Sequence, residues 1–178
     1  TTFSMPLFRY QRSRELLFRW IEENAFTAVY RTHEGNQPGA NAQFYDDEET
    51  LAQFSRCARI HRAWGFYRRQ LIQEAARTGL PVVRPLFLHY PGDEFTYTIS
   101  YQQFLVGADF MVAPVLDPGR DSVAVYFPKG QWIHVWSGNV YGATDTGLRE
   151  TVSAPTGRPA VFYRSDSEVG PGFVAELR

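Results

Sequence analysis

Residues 107–136 read GADFMVAPVLDPGRDSVAVYFPKGQWIHVW, and this stretch decides the fold class. Three short runs, DFMVAPVL at 109–116, SVAVYFP at 122–128 and QWIHVW at 131–136, are cut by Gly119, Pro128 and Gly130. β-Branched and aromatic residues bracketed by turn formers predict strands, and no helical apolar period establishes itself. A fourth run of the same style, RPAVFYR at 158–164, follows Gly138 and Gly157. Residues from about 109 onward are therefore expected to form a small antiparallel β-sandwich.

Upstream the pattern is different. Ser13 is placed to cap a helix over 14–24 with Leu16, Leu17, Trp20 and Ile21 on one face. The run 26–30 is rich in strand formers and ends in the polar segment RTHEGNQPGAN. Asp46 and Asp47 then open a long helical region that stops before Gly79. Its apolar stripe is Leu51, Phe54, Cys57, Ala58, Trp64, Leu71, Ile72 and Ala75, with Arg56 and Arg59 opposite. Arg68 falls on the apolar side, so either its stem snorkels or the helix changes phase at Gly65.

A second strand is expected over 82–88, followed by a polar turn and a third helix over about 96–106. Alternation of this kind builds parallel sheets with helices outside. Two strands alone cannot make a stable parallel sheet, because both faces and both edges need covering. Residues 1–108 are thus expected to be the last piece of a larger α/β domain, with the boundary between 107 and 115. The opening TTFSMPLFRY has no initiator methionine and no targeting segment, and reads as a sequence entered partway through a fold.

Composition narrows the function. The 178 residues carry 18 basic and 19 acidic side chains, a net charge of −1, so no long-range field favours a nucleic acid or a membrane surface. No apolar stretch is long enough to span a bilayer. Lys129 is the only lysine among the basic residues, which we ascribe mainly to codon usage. Cys57 is the only cysteine, so no internal disulfide is possible. The 14 Phe, 10 Tyr and 4 Trp promise a dense core.

The densest polar cluster is Arg31-Thr32-His33-Glu34-Gly35-Asn36, directly after an expected buried strand. In α/β barrels the C-terminal ends of strands face the active site, which makes His33 a candidate ligand-binding group; the plainer alternative is a solvated loop histidine. HEGNQ mimics a zinc-protease motif, but Gln37 stands where the second histidine belongs and Gly35 and Pro38 oppose a helix. No metal or cofactor is expected. Asp46, Asp47, Glu48 and Glu49 suit a helix entry better than acid–base work. Arg56, Arg59, Arg62, Arg68 and Arg69 read as a mostly outward helix face. Trp132, His134 and Trp136 share one strand face, which suits sandwich packing or, less naturally, a sugar-stacking platform with Tyr141.

Four ordered motifs then carry a resemblance: RTHEGN at 31–36, GLPVVRPLFLHYPGD at 79–93, YQQFLVGADFMVAPVLDPGR at 101–120 and VYFPKGQWIHVWSG at 125–138. Together they resemble the C-terminal part of glycoside hydrolase family 31, the α-glucosidases and their relatives, over about residues 1–166. The resemblance implies the end of a (β/α)8 barrel, strands seven and eight, followed by a proximal β-sandwich at 109–178. It implies a retaining α-glycosidase in which one aspartate attacks the anomeric carbon and a second protonates the leaving oxygen, about 5–5.5 Å apart.

Both aspartates lie on strands before Thr1, so no catalytic residue is expected in this chain, and the fragment alone is expected to be inactive. His33 matches the family histidine that hydrogen-bonds a sugar hydroxyl in the cleaved subsite. Arg31 is its expected supporting group, orienting a carboxylate or loop. RTHEGN is also similar to the sulfoquinovosidase-like branch, which cleaves glycosides of a sulfonated glucose. The implied partner is a sugar or glycoside, with no nucleic acid and no membrane, a homo-oligomer left open and a cytoplasmic location expected. A non-catalytic carbohydrate-binding sandwich is the alternative function.

Overall fold

The computed structural model describes residues 11–35 and 37–177. The opening TTFSMPLFRY and Asn36 of the RTHEGN motif lie outside the described residues.

Helix α1, Arg14–Asn24, begins where Ser13 predicts: the Ser13 hydroxyl accepts from the Leu16 N–H at 3.2 Å. Leu17, Phe18, Arg19, Ile21 and Glu22 are buried, whereas Trp20 stays 58% exposed, so the buried face is rotated away from Trp20 relative to the one its sequence suggests. Helix α2, Glu48–Ala63, opens with a capping box: Asp47 accepts from the Thr50 N–H at 2.8 Å and the Thr50 hydroxyl accepts from the Asp47 N–H at 3.2 Å. The long helical region is divided at Trp64, and α3 runs Gly65–Thr78 to a left-handed Gly79.

The division explains Arg68. Its guanidinium folds back over the Trp64 ring, 4.7 Å from the centroid, and donates to the His61 carbonyl at the end of α2 at 2.7 Å. The phase change at Gly65 is therefore the correct alternative, and Leu51 and Ile72 of the expected stripe lie about half exposed. Trp64 is fully buried, its indole N–H donating to the Ala25 carbonyl at 2.8 Å and so tying α2 and α3 to the end of α1.

The strands are β1 Val83–Arg84, β2 Phe104–Val106, β3 Phe110–Ala113, β4 Ser122–Phe127, β5 Trp132–His134, β6 Val140–Tyr141, β7 Leu148–Ser153 and β8 Ala160–Arg164, and helix α4 follows at Val169–Glu176. One sheet has the order β1-β2-β3-β8-β5-β6 and the other pairs β4 with β7. Every pairing among the described residues is antiparallel.

Alternation divides the larger sheet between two cores. Leu105, Met111, Ala113, Ala160 and Phe162 face β4 and β7, meeting Val125, Phe127 and Val152. Val106, Phe110, Val112 and Val161 face the helices, meeting Ile21, Ile60, Trp64, Tyr67, Leu71 and Phe173. That double burial is why FMVA at β3 is apolar at every position. The sandwich is present as expected, with one of its sheets also carrying the helical layer.

Three expectations upstream are corrected. The run 26–30 forms no strand: Phe26 and Thr27 close a turn onto Glu23 and Asn24, and Phe26 packs edge-on to Phe173. A strand requires a neighbour to take its hydrogen bonds, and none flanks this run among the described residues. The segment 82–88 contributes only the two residues of β1, antiparallel to β2, because Pro85 ends the ladder and Leu86–Leu88 turn into a 3-10 helix.

The third helix is replaced by a 3-10 turn at Glu94–Thr98 and by β2, whose Leu105 and Val106 are drawn to opposite cores. Since β1 and β2 belong to the same sheet as β3, the sandwich begins well before the boundary expected at 107–115. Among the described residues there is accordingly no parallel sheet. Gly107, at φ +60°, joins β2 to β3 directly beneath Tyr67, where a Cβ would lie 2.0 Å from the phenol oxygen.

A buried ion pair locks α1 to the sandwich. Arg19 and Glu22, 9% and 3% exposed, pair at 3.1 Å. Arg19 also donates to the Ala154 carbonyl at 3.0 Å and the Arg120 carbonyl at 2.6 Å. Glu22 accepts from the Gly157 N–H and, at 3.1 Å, from the Gln53 amide. Burial nevertheless pushes the Glu22 carboxyl above its ordinary value, outweighing the Gly157 hydrogen bond and the Arg19 charge.

We expect Arg19→Met to cost about 3–5 kcal/mol at neutral pH, since it strands a buried carboxylate. Removing Arg19 raises the folded-state value of Glu22 further. The deficit should therefore be smallest below the ordinary value of 4.5 and grow as pH rises through the elevated folded value. Urea unfolding at several pH values checks this, and a deficit independent of pH would show that Glu22 is not the group left stranded.

Candidate functional site

The polar segment at 31–35 has no regular secondary structure, and side chains supply what a ladder would. Arg12 is central. Its Nη1 donates to the His33 carbonyl at 2.8 Å, and its Nε and Nη2 donate to the Ala42 carbonyl at 3.0 and 2.6 Å. The backbone closes the same gap, with Ala42 N–H donating to the Arg12 carbonyl at 2.9 Å and Arg12 N–H to the Asn41 side chain at 2.8 Å.

Gln43 is only 3% exposed and works from within: its oxygen accepts from Arg12 at 3.0 Å while its amide donates to the Glu34 and Pro38 carbonyls at 3.0 and 3.2 Å. Gly35 sits at φ +81°, where a Cβ would lie 2.8 Å from the Asn41 amide. The left-handed φ is what favours glycine there, since the Asn41 amide is a side-chain end that can shift.

His33 is exposed, and its ring is oriented locally. Its Nδ1 accepts the Gly35 N–H at 3.0 Å. An accepting Nδ1 carries no proton, so the neutral ring holds its hydrogen on Nε2 and presents a donor outward. His33, Thr32 and Arg31 line one cleft of about 340 Å³ together with Arg12, Trp20 and Val29.

No carboxylate lines that cleft among the described residues. It can hold and orient hydroxyl or anionic groups, but it offers no nucleophile. Glu34 is turned aside to accept the Tyr45 hydroxyl at 3.1 Å. Arg31 lines the cleft, and the His33 and Ala42 carbonyls beside it are held by Arg12.

The other sequence candidates serve structure. Asp46 accepts the Gln43 N–H at 2.7 Å, Asp47 caps α2, and Arg14 bridges Asp47 and Glu49. Trp132 is fully buried, and Tyr141 stacks on Phe127 at 5.4 Å. Trp136 is half-buried, with its indole N–H donating to the Pro159 carbonyl at 2.6 Å. These aromatics do not form one exposed plane, which removes the basis of the sugar-stacking alternative. Arg12 and Gln43 were not singled out in the sequence, and only Arg12's place beside the Ser13 cap hints at a fixed position.

The loop histidine thus stands on a segment tied down by Arg12 and Gln43, in a cleft that no carboxylate lines among the described residues. Comparison with known proteins gives that segment a family. The Glycosyl hydrolase family 31 C-terminal domain matches residues 79–168. The chain is 48% identical over 162 residues to the sulfoquinovosidase of Escherichia coli strain K12, covering 91% of this chain and 23% of that protein.

It is 48% identical to the sulfoquinovosidase of Agrobacterium fabrum, over 90% of this chain and 24% of that protein. It is 34% identical to alpha-glucosidase 2 of Bacillus thermoamyloliquefaciens, over 94% and 21%. A family 31 sulfoquinovosidase from E. rectale, solved with an aza-sugar inhibitor, superposes with a TM-score of 0.89 at 39% identity, covering 97% of this chain and 25% of that one. The chain belongs to glycosyl hydrolase family 31, and it spans about a quarter of the length of these relatives.

Gln43→Leu should loosen the histidine loop alone. It removes two hydrogen bonds to loop carbonyls and one from Arg12, a loss of about 1–3 kcal/mol that should speed local amide exchange about five- to 150-fold. Hydrogen exchange should show this at Gly35 and leave β3 amides unchanged. Equal acceleration in β3 would mean that Gln43 supports the whole fold rather than the loop.

Proposed function

We propose that this chain is the C-terminal part of a retaining α-glycosidase that hydrolyses O-glycosidic bonds, with glycosides of a sulfonated glucose as its substrate class. The observation that carries the substrate class is the contrast in identity: 48% to two sulfoquinovosidases against 34% to an α-glucosidase, over comparable spans. We assign helices α1 to α3 to the outer layer of a (β/α)8 barrel in the longer protein, and the sheets from β1 onward to the sandwich that follows. The nucleophilic and acid aspartates belong to the part of the barrel that precedes these residues. By itself the chain has no route to bond cleavage, because positioning groups without carboxylates cannot form or break a glycosyl–enzyme bond.

In this reading His33 donates its Nε2 hydrogen to a hydroxyl of the sugar whose bond is cleaved. The bond strengthens as the ring flattens towards an oxocarbenium-like transition state, so it contributes to rate as well as binding. Two features support the assignment: the outward donor is fixed by the Gly35 N–H, and the backbone behind it is tied down by Arg12. Arg31 lines the same cleft and takes a supporting role there.

In the full-length enzyme, His33→Ala should lower kcat and kcat/KM together by about 10- to 150-fold, the worth of a lost hydrogen bond of roughly 1.5–3 kcal/mol. Wild-type kcat/KM should be higher for a nitrophenyl α-sulfoquinovoside than for the matching α-glucoside. A His33→Ala enzyme within about twofold of wild type, under roughly 0.4 kcal/mol, would make His33 a bystander. A preference for the glucoside would overturn the substrate class while leaving the glycosidase assignment standing.

A further inference from the structure

A second and larger cleft, of about 930 Å³, lies between α2, the turn after β5 and the end of α4, and it shares no lining residue with the His33 cleft. We infer that it is an anion site, built by Arg56, Arg59 and Arg158 to take a tetrahedral oxyanion such as a sulfate, phosphate or sulfonate group.

Three features support this. Arg56 and Arg59 are one helical turn apart on α2 and so reach the same side. Arg158 comes to them from the loop before β8, bringing a third guanidinium into the cleft wall. None of the three makes an ion pair or a side-chain hydrogen bond among the described residues, whereas Arg14, Arg19, Arg84 and Arg164 all do. Only Glu176 brings a carboxylate to the lining, one negative charge against three positive ones. Glu22, whose charge Arg56 also feels, is already committed to Arg19 and Gly157.

The wall is preorganised. Arg56 lies over the Trp136 ring, 5.7 Å from its centroid, and the Trp136 indole is fixed by its bond to Pro159. Guanidinium forks match tetrahedral oxyanions in shape as well as charge, and a cleft with a low-dielectric aromatic wall strengthens the contact. Trp136 adds an apolar surface against which an organic substituent of the anion can rest.

The test is calorimetric titration of the full-length protein with sodium sulfate and, separately, with sodium ethanesulfonate, at low ionic strength made up with chloride. Sulfate should bind, and Arg59→Gln/Arg158→Gln should weaken it about tenfold or more while the melting temperature in chloride stays unchanged. These two arginines are exposed, so their replacement leaves the fold intact, and Arg56 keeps its contact with Trp136. Tighter binding of ethanesulfonate than sulfate, despite its lower charge, would identify an organic anion as the occupant. Tighter binding of sulfate would identify a free inorganic anion. Absence of sulfate binding, or binding that the double variant does not weaken, would overturn the site.

Discussion

The Arg19–Glu22 pair is the constraint on which the arrangement of this chain depends. Two charges are held almost out of water, a placement that needs their polar atoms hydrogen-bonded, and of the pair's polar atoms Arg19 Nε alone is left buried without a partner among the described residues. Here the partners come from far along the chain: the Ala154 and Arg120 carbonyls for Arg19 and the Gly157 N–H for Glu22. Burial still wins over attraction at Glu22, whose carboxyl is pushed up. The pair therefore adds little net stability for its desolvation. What it contributes is register, since a helix slipped by one residue would keep the intrahelical pair but lose its buried hydrogen bonds to the Ala154 and Arg120 carbonyls and the Gly157 N–H.

Around that lock the larger sheet acts as a shared wall. Its two faces serve two cores, one against β4 and β7 and one against α1 to α4, so neither the sandwich nor the helical layer closes without the other. Tyr67 marks the seam on the helical side, donating to Asp109 at 2.6 Å and accepting from the Ala108 N–H at 3.1 Å. On the other side the buried Gln103 amide brackets the Tyr126 backbone at 2.6 and 2.8 Å, standing in for a missing strand neighbour at β4. A polar side chain that copies a ladder satisfies the Tyr126 backbone where β4 has no second strand beside it.

Strands β3, β4, β5 and β8 were legible in the sequence because each is short and set off by glycine or proline, whereas β6 and the largely polar β7 were not singled out. The caps at Ser13 and Asp47 were legible because local chemistry sets them. What misled was the continuous apolar run. In 26–30 and 82–88 strand formers satisfy the sequence pattern, but pairing is a tertiary property, and only Val83 and Arg84 find a partner. At 104–106 the period was ambiguous over three residues, and β2 owes its extended form to two cores pulling in opposite directions. The candidate site was half legible: His33 stood out through its neighbours, whereas Arg12 reaches it across 21 residues and Gln43 holds the Glu34 and Pro38 carbonyls from 9 and 5 residues away, with no periodic pattern to mark either.

These features join through α1. Its N-terminal end is Ser13, directly after the Arg12 that holds the His33 carbonyl, and Arg19 lies about 9 Å further along the same axis at 1.5 Å per residue. A helix is stiff over that distance, so a residue locked at one point fixes the position of the other. The contacts made by Arg19 and Glu22 are with the loops at 120 and 154–157, which belong to the sandwich. The sandwich therefore determines where the histidine loop stands, although no sandwich residue lies in the loop itself. In the role proposed for His33, rigid backbone behind the donor reduces the reorganisation needed when charge develops at the sugar. On that proposal the sandwich governs how well the reacting groups are served without supplying any of them.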